Sequence, residues 1–310
     1  VPEDLPASRL FAGTGQAYLN TSILGAADSV QVVFKSSPFG TQSHGYEANN
    51  SFLLWGYGER LLIRSGYRDS YGSDHHRDWM WSTRSVNNIT VNGKGQGRRT
   101  AKAQGQITHF ETTPAMDVVV GEAGGAYEEP LERFTRAMIF IKPELVIVYD
   151  RLVAKAPSTY EYWLHAVNEM QAAGQHDVRV VSGDVVCDVD FLAPAGLTFV
   201  QTDQYDPNPR PRITLREWHL TASTPEKRKD VEFVTLYRIH RKGESVPRKA
   251  ELVTLPGGYA LQAELSFGRA AVLLPKADGA NMEGFGLTSA GGLKVKLMRD
   301  GQPDETIELK

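Results

Sequence analysis

Between residues 43 and 97 the chain gathers side chains able to bind or transform an anion: His44, Tyr46, Glu47, Arg64, Tyr67, Arg68, His75, His76, Arg77, Arg84, Asn87 and Asn88. Three of the eight histidines fall here, together with Arg60, Arg64, Arg68, Arg77 and Arg84. Guanidinium and protonated imidazole donate charge-assisted hydrogen bonds to carboxylate and sulfate, so an acidic polysaccharide is the ligand this composition suits. A loop of the same composition also occurs as a solvated, ion-paired surface feature, and composition alone does not separate the two readings.

Other chemistries find less support. Asp74-His75-His76 sets a carboxylate beside two imidazoles, but adjacent side chains on an extended chain diverge. Neither an H-x-H nor an H-E-x-x-H spacing is present, which argues against a bound metal. The stretch Gly93-Lys94-Gly95-Gln96-Gly97 lacks the strand–loop–helix setting of a phosphate cradle and reads as a turn. A G-x-S-x-G elbow for a serine nucleophile is missing. Trp79 and Trp81 share a face of an extended segment, as a sugar platform or as core.

These residues must be positioned by strands. Apolar runs are short, rich in Val, Ile, Phe and Tyr, and bounded by Gly, Pro, Asn or Asp. They predict strands at residues 30–34, 51–57, 60–65, 88–92, 107–112, 117–121, 133–141, 145–153, 159–166, 178–181 and 184–189. Further strands are predicted at 198–202, 212–220, 231–240, 250–255, 259–265, 269–274 and 293–299. Lys142-Pro143-Glu144, Pro256-Gly257-Gly258 and Arg299-Asp300-Gly301-Gln302 carry hairpin-turn chemistry. Leu145, Ile147 and Tyr149 alternate with Val146, Val148 and Asp150, so both faces of that strand are predicted to be covered by stacked sheets. The fold class is all-β: one large antiparallel multi-stranded β-sandwich (super-sandwich) with few or no helices, spanning 1–310 as a single domain. Residues 203–212 and 224–230 read as surface loops.

With 310 residues, 41% hydrophobic and 23% charged, the chain has ordinary globular composition. A net charge of −3 excludes the basic excess of a dedicated nucleic-acid binder, while a local Arg/His cluster still accommodates a polyanion. The single cysteine, Cys187, forms no intrachain disulfide. No stretch reaches the ~20 apolar residues of a membrane span. The start at Val1-Pro2 reads as a mature product, a proteolytic piece or an excised domain.

Taken in order, four segments resemble the β-sandwich domain of the heparinase II/III-like polysaccharide lyases, a group that includes heparin, heparan sulfate and alginate lyases. The family pattern is H-x-H-x-D-x-G-S-F, a strand ending in D-x-G, then S-T-x-x-H-N-T, then a D/N-G turn. Its counterparts here are His44-Gly45-Tyr46-Glu47-Ala48-Asn49-Asn50-Ser51-Phe52, Arg64-Ser65-Gly66, Ser82-Thr83-Arg84-Ser85-Val86-Asn87-Asn88-Ile89 and Asn92-Gly93. Arg136-Ala137-Met138-Ile139-Phe140, Val146 to Leu152 and Tyr162-Trp163-Leu164-His165 look like later strands of the family.

The resemblance implies a two-part enzyme whose N-terminal α/α toroid supplies a catalytic Tyr and His, with the β-sandwich closing one side of the cleft. It implies β-elimination at a uronic acid of alginate or a glycosaminoglycan, with alginate slightly ahead. The implied site residues are His44 as the catalytic histidine, and Arg68, His75, His76, Arg77 and Tyr46 at the substrate. The toroid is expected to lie outside this chain, which alone would be inactive or nearly so. A periplasmic or secreted location is implied by the family's substrates. The family's structural zinc uses positions that read Tyr46, Arg64 and Asn87 here, three groups that do not build a zinc site. No metal or other cofactor is expected, and hydrogen bonds among the three are expected in its place. The alternative is a non-catalytic carbohydrate-binding or structural sandwich that kept the fold.

Overall fold

Alternation of apolar residues around a few long strands stacks this chain into layers. The computed structural model describes residues 4–42, 44–66, 69–127, 131–213, 217–277 and 279–309. In chain order the first strands are β1 (Arg9–Phe11), β2 (Gln16–Asn20), β3 (Val30–Lys35), β4 (Ser51–Gly56), β5 (Glu59–Leu62) and β6 (Ile89–Val91). The middle of the chain forms β7 (Gln106–Thr112), β8 (Met116–Glu122), β9 (Leu131–Ile141), β10 (Leu145–Ser158), β11 (Tyr160–Ala166), β12 (Gln171–Ala172), β13 (Asp177–Ser182) and β14 (Val185–Ala193). Next come β15 (Thr198–Thr202), β16 (Trp218–Ser223) and β17 (Arg228–Arg241). The last are β18 (Ala250–Leu255), β19 (Gly258–Leu265), β20 (Gly268–Pro275), β21 (Asn281–Gly284), β22 (Leu287–Ala290), β23 (Lys294–Arg299) and β24 (Glu305–Glu308).

The central layer is an eight-stranded antiparallel sheet in the order β12-β13-β14-β17-β10-β9-β8-β7. A front layer combines the sheets β1-β2-β3-β4-β5 and β15-β16-β11-β6, and a back layer is the sheet β18-β19-β20-β23-β24. The fold is an all-β sandwich, as the strand pattern predicts.

Strand β10 shows why the layers form. Val146 and Val148 join Phe34, Phe52, Tyr162 and Leu164 in the front core. Leu145, Ile147 and Tyr149 join Leu261, Val272, Leu274 and Val295 in the back core. Each side chain buried this way contributes on the order of 1.5–3 kcal/mol, which a strand with one wet face would forgo on half its length.

Several departures from the expected strand map have local causes. The strand expected over 212–220 begins only at Trp218. β1 and β2 lie in a segment whose apolar residues are broken by Gly13 and Gly15, and the strand signature does not reach them. The stretch after β5, expected as a loop, contains a single π-helical turn at His75–Trp79, buried at His75, His76 and Trp79.

Between the layers Arg136 and Asp150 form a fully buried bidentate pair, at 2.6 and 3.0 Å. The Arg136 guanidinium is ringed by Phe52, Phe134 and Tyr162 at 5.3–5.4 Å. Its Nη1 also donates to the carbonyls of Asn50 (2.7 Å) and Asn87 (3.2 Å). The pair thereby fixes, from beneath, the two segments that carry the candidate site.

Candidate functional site

The segment 44–50 leaves the end of β3 and returns at β4. If extended, it would set His44, Tyr46, Ala48 and Asn50 on one face, but the structure shows turns instead. The Ala48 amide donates to the Tyr46 carbonyl at 2.8 Å, and Ser51 donates to the Ala48 carbonyl through Oγ at 2.7 Å. Asn50 sits at φ +58, a left-handed conformation that Asn tolerates better than most residues. The segment is a chain of turns.

Asparagine and glutamine amides hold these turns. Asn49 accepts from the Ser37 amide (2.7 Å), donates to the Ala103 carbonyl (2.9 Å) and receives Gln96 and Asn88 on its own carbonyl, at 2.7 and 2.9 Å. Asn50 donates to the carbonyls of Gly121 and Phe134. A buried backbone group left unpaired is costly, so this network defines one loop shape.

On that base His44 is exposed, its ring 6.4 Å from Trp81. Tyr46 stacks on Trp81 with ring centroids 4.5 Å apart and an interplanar angle of 19°. The Arg64 guanidinium lies 3.8 Å from the centroid of Tyr46, and its Nη2 donates to the Met80 carbonyl at 2.7 Å. Burial pulls the Arg64 pKa down, with Tyr46 and Glu217 acting in the opposite direction. The expected trio of hydrogen-bonded partners comes together only in part. Asn87 turns away, donating to the carbonyls of Phe52 (2.8 Å) and Ile63 (3.0 Å) and accepting from the His165 amide (2.9 Å).

This geometry does not fit the family's zinc. A cation already stands over Tyr46, and the carboxamide of Asn87 is engaged by main chain. Among the described residues no group of three or more His, Cys, Asp or Glu is placed to hold a metal ion.

The other expected substrate contacts divide sharply. Arg68 lies outside the described residues. His75 and His76 are buried in the π-helical turn, at 1% and 2% exposure, rather than displayed on a loop. His75 Nδ1 sits 2.8 Å from the Pro207 carbonyl, which only accepts, so Nδ1 carries a proton. His76 meets N–H donors at both nitrogens: the Gly72 amide at Nδ1 (3.1 Å) and Trp81 Nε1 at Nε2 (3.3 Å). A neutral imidazole accepts at one nitrogen only, so His76 takes one of these two hydrogen bonds, and its ring packs edge-on against Trp81 at 5.5 Å. Arg77 is exposed and paired with Asp74 (2.7 Å) and Asp78 (2.6 Å).

Sequence reasoning missed the ion-pair chain that joins the two segments. Arg98 donates to buried Glu47 at 2.7 Å and to Asp78 at 3.0 Å. Glu47 also accepts from the Thr83 amide, and its own amide donates to the Trp81 carbonyl at 3.0 Å. Burial raises the Glu47 pKa, and the bond from Arg98 opposes the shift. Arg98 lies next to a glycine turn in sequence, and only its closeness to a buried acid in space reveals it.

Behind the π-helical turn sits a second cluster with no signal in the sequence. His165 and His219 are cross-strand partners on β11 and β16, with rings 5.8 Å apart. Trp79, Tyr205 and Trp163 pack around His219 at 4.9, 5.5 and 5.8 Å. Burial lowers the His165 pKa well below its usual value and that of His219 to about 4. Both imidazoles are neutral packing elements at neutral pH.

The arrangement offers an exposed imidazole on a rigid aromatic–arginine base. The same architecture occurs in known lyase structures. The heparan sulfate lyase HepC of Pedobacter heparinus superposes with a TM-score of 0.70 at 17% identity, covering 89% of this chain and 43% of that one. A heparinase III gene product gives 0.72 at 16%, with coverage of 89% and 43%. Another heparinase III structure gives 0.66 at 16%, with coverage of 85% and 42%. The chain thus spans less than half the length of these structures. No curated protein matches the sequence. The model of the heparinase II/III-like C-terminal domain matches residues 3–249, and the chain belongs to that family.

Proposed function

We propose that the chain forms the β-sandwich wall of a polysaccharide lyase that cleaves a uronic-acid-containing polymer, a glycosaminoglycan or alginate, by β-elimination. The observation that carries this reading is His44, exposed on a segment whose turns are fixed by buried hydrogen bonds. The proton on C5 of a uronate is weakly acidic beside an ionised carboxylate, so donors must neutralise that carboxylate while a base removes the proton and an acid protonates the departing O4. His44 supplies one of these functions, and Arg68 contributes to carboxylate binding. The remaining groups come from a helical domain outside these residues. Such a polymer is met outside the cytoplasm, in the periplasm or beyond.

The test compares His44→Ala with the parent in the enzyme that unites this chain with its helical domain, using heparan sulfate and alginate as substrates. Loss of unsaturated-product absorbance with unchanged thermal unfolding supports the reading. Unchanged turnover on every accepted substrate favours a purely structural or carbohydrate-binding sandwich, the reading to which Arg64 in place of a metal ligand gives weight.

A further inference from the structure

The aromatic cluster under His44 does not end at Trp81. His76 packs against Trp81 at 5.5 Å, and the Tyr71 ring lies 5.1 Å from that of His76. Ring contacts therefore lead from His44 through Trp81 and His76 to Tyr71. Trp81 and His76 are buried, whereas Tyr71 is 73% exposed, more than any other large apolar or aromatic side chain among the described residues. A single exposed ring is ordinary on a protein surface. What sets Tyr71 apart is a fixed position beside an exposed arginine.

Tyr71 stands at the tip of a tight turn. The Ser73 amide donates to the Ser70 carbonyl at 3.1 Å, and Gly72 takes φ +82, the positive value that the third position of such a turn requires. Arg212 stands at the tip of a second turn, Arg210-Pro211-Arg212-Ile213, closed by the Ile213 amide on the Arg210 carbonyl at 2.9 Å. Pro211 supplies the φ of its second position. Arg212 is exposed and, among the described residues, makes no ion pair.

Asp69 pins the two turns together. Its carboxylate accepts from Nε (2.7 Å) and from the amide (3.1 Å) of Arg210. Desolvation pushes the Asp69 carboxyl up, but the bonds from Arg210 and the nearby charge of Arg212 hold it below its usual range. The loop that carries the second turn is anchored to the site wall as well. Its Pro207 carbonyl meets His75 at 2.8 Å, and its Asp206 carbonyl accepts from Arg84 at 3.0 Å. The two tips are thus held in place before any ligand arrives, which lowers the entropy lost on binding.

Their chemistry is complementary to one kind of ligand. The face of a tyrosine ring is electron-rich and receives the C–H bonds of a sugar. A guanidinium donates paired hydrogen bonds to carboxylate or sulfate. A neutral sugar would use the ring alone, and a small inorganic anion the guanidinium alone.

We infer that Tyr71 and Arg212 form an outlying subsite for an acidic sugar of the polymer, with Tyr71 under the sugar ring and Arg212 on its carboxylate or sulfate, away from the unit that meets His44. The ring of Tyr71, rather than its hydroxyl, does the binding. The subsite rests on the proposal that this chain is the wall of a cleft for a uronate polymer, and it adds two residues outside the family motifs.

The test is binding, so that it is separate from turnover. A heparan sulfate hexasaccharide and an alginate hexamer are titrated into the 310-residue chain and followed by saturation-transfer NMR, with circular dichroism confirming the fold of every variant. Saturable transfer to the sugar C–H protons is expected for at least one of them, and none for the neutral cellohexaose. Tyr71→Ala should weaken binding about threefold to tenfold, whereas Tyr71→Phe, which keeps the ring, should bind like the parent. Arg212→Gln should weaken it about tenfold at low salt, and by less as ionic strength rises. Both side chains are exposed, so neither change should disturb folding. Parent-like binding by Tyr71→Ala or Arg212→Gln, equal binding of cellohexaose, or no saturable binding of either acidic oligosaccharide overturns the subsite. His44→Ala decides the lyase reading separately, by turnover in the enzyme joined to its helical domain, and the affinities stand apart from that outcome.

Discussion

The Arg64 guanidinium lies 3.8 Å from the centroid of the Tyr46 ring, whose other neighbour is the Trp81 indole at 4.5 Å. Two positions at which the family resemblance implies metal ligands are here joined by a cation–π contact. Arg64→Met retains much of the side-chain volume and removes the charge, at an expected cost of about 1–2 kcal/mol for a largely desolvated contact. Tyr46→Phe keeps the ring and should cost less. Chemical denaturation of the two variants checks the order.

The Arg136–Asp150 pair should behave as a buried ion pair does when one partner is lost. Arg136→Met leaves the Asp150 carboxylate without its counter-ion and takes a donor from the carbonyls of Asn50 and Asn87. A loss of roughly 3–5 kcal/mol is expected, and the double variant Arg136→Met/Asp150→Leu should recover part of it. Equilibrium unfolding in urea measures both. A double variant less stable than the single would contradict the account.

Acid should loosen the wall through His219. Its pKa is about 4 when folded, against a usual value near 6.5, so the unfolded chain binds the proton first as pH falls. The stability associated with neutral His219 is present above about 6.5 and is lost as pH falls toward about 4, amounting to about 3 kcal/mol. His219→Phe should flatten that part of the stability–pH curve. Thermal unfolding of parent and variant across the same window, from about pH 7 to about 4, reads the difference.

Glu47 has the opposite sign. Its carboxyl is raised by burial, so stability falls as pH rises through the window from its usual value up to the raised one. Arg98→Ala removes the partner that opposes the shift and should destabilise the chain by about 1–3 kcal/mol near neutral pH, and by less in acid where Glu47 is protonated. Because Glu47 and Trp81 share a hydrogen bond, near-ultraviolet dichroism from Trp81 should change as well.

How much of this fold is legible in the sequence depends on whether the cause is local. The double alternation of residues 145–150 states a strand covered on both sides, and the two cores divide its side chains as that pattern requires. The turn at Lys142-Pro143-Glu144 is equally local, with Leu145 returning opposite Ile141. The roles of Asn49 and Asn50 are not legible, because their partners, Ala103, Gly121 and Phe134, are distant in sequence. Burial of His75 is hidden for the same kind of reason: nothing in Asp74-His75-His76-Arg77 indicates that the Pro207 carbonyl waits for its imidazole. A polar residue reads as displayed whenever its partner is contributed by another part of the fold.

Strand β10 is the feature with the widest reach. Its side chains alternate between two cores, so insertion of one residue would exchange Val148 and Asp150 with Ile147 and Tyr149 along the rest of the strand. Asp150 would leave Arg136, and the Tyr149 ring would take its place beneath the His44 segment, giving up its hydrogen bond to Pro275. The register of this strand therefore tolerates no change in length. Length changes are better borne by exposed turns between strands than by β10, whose alternation serves two cores at once.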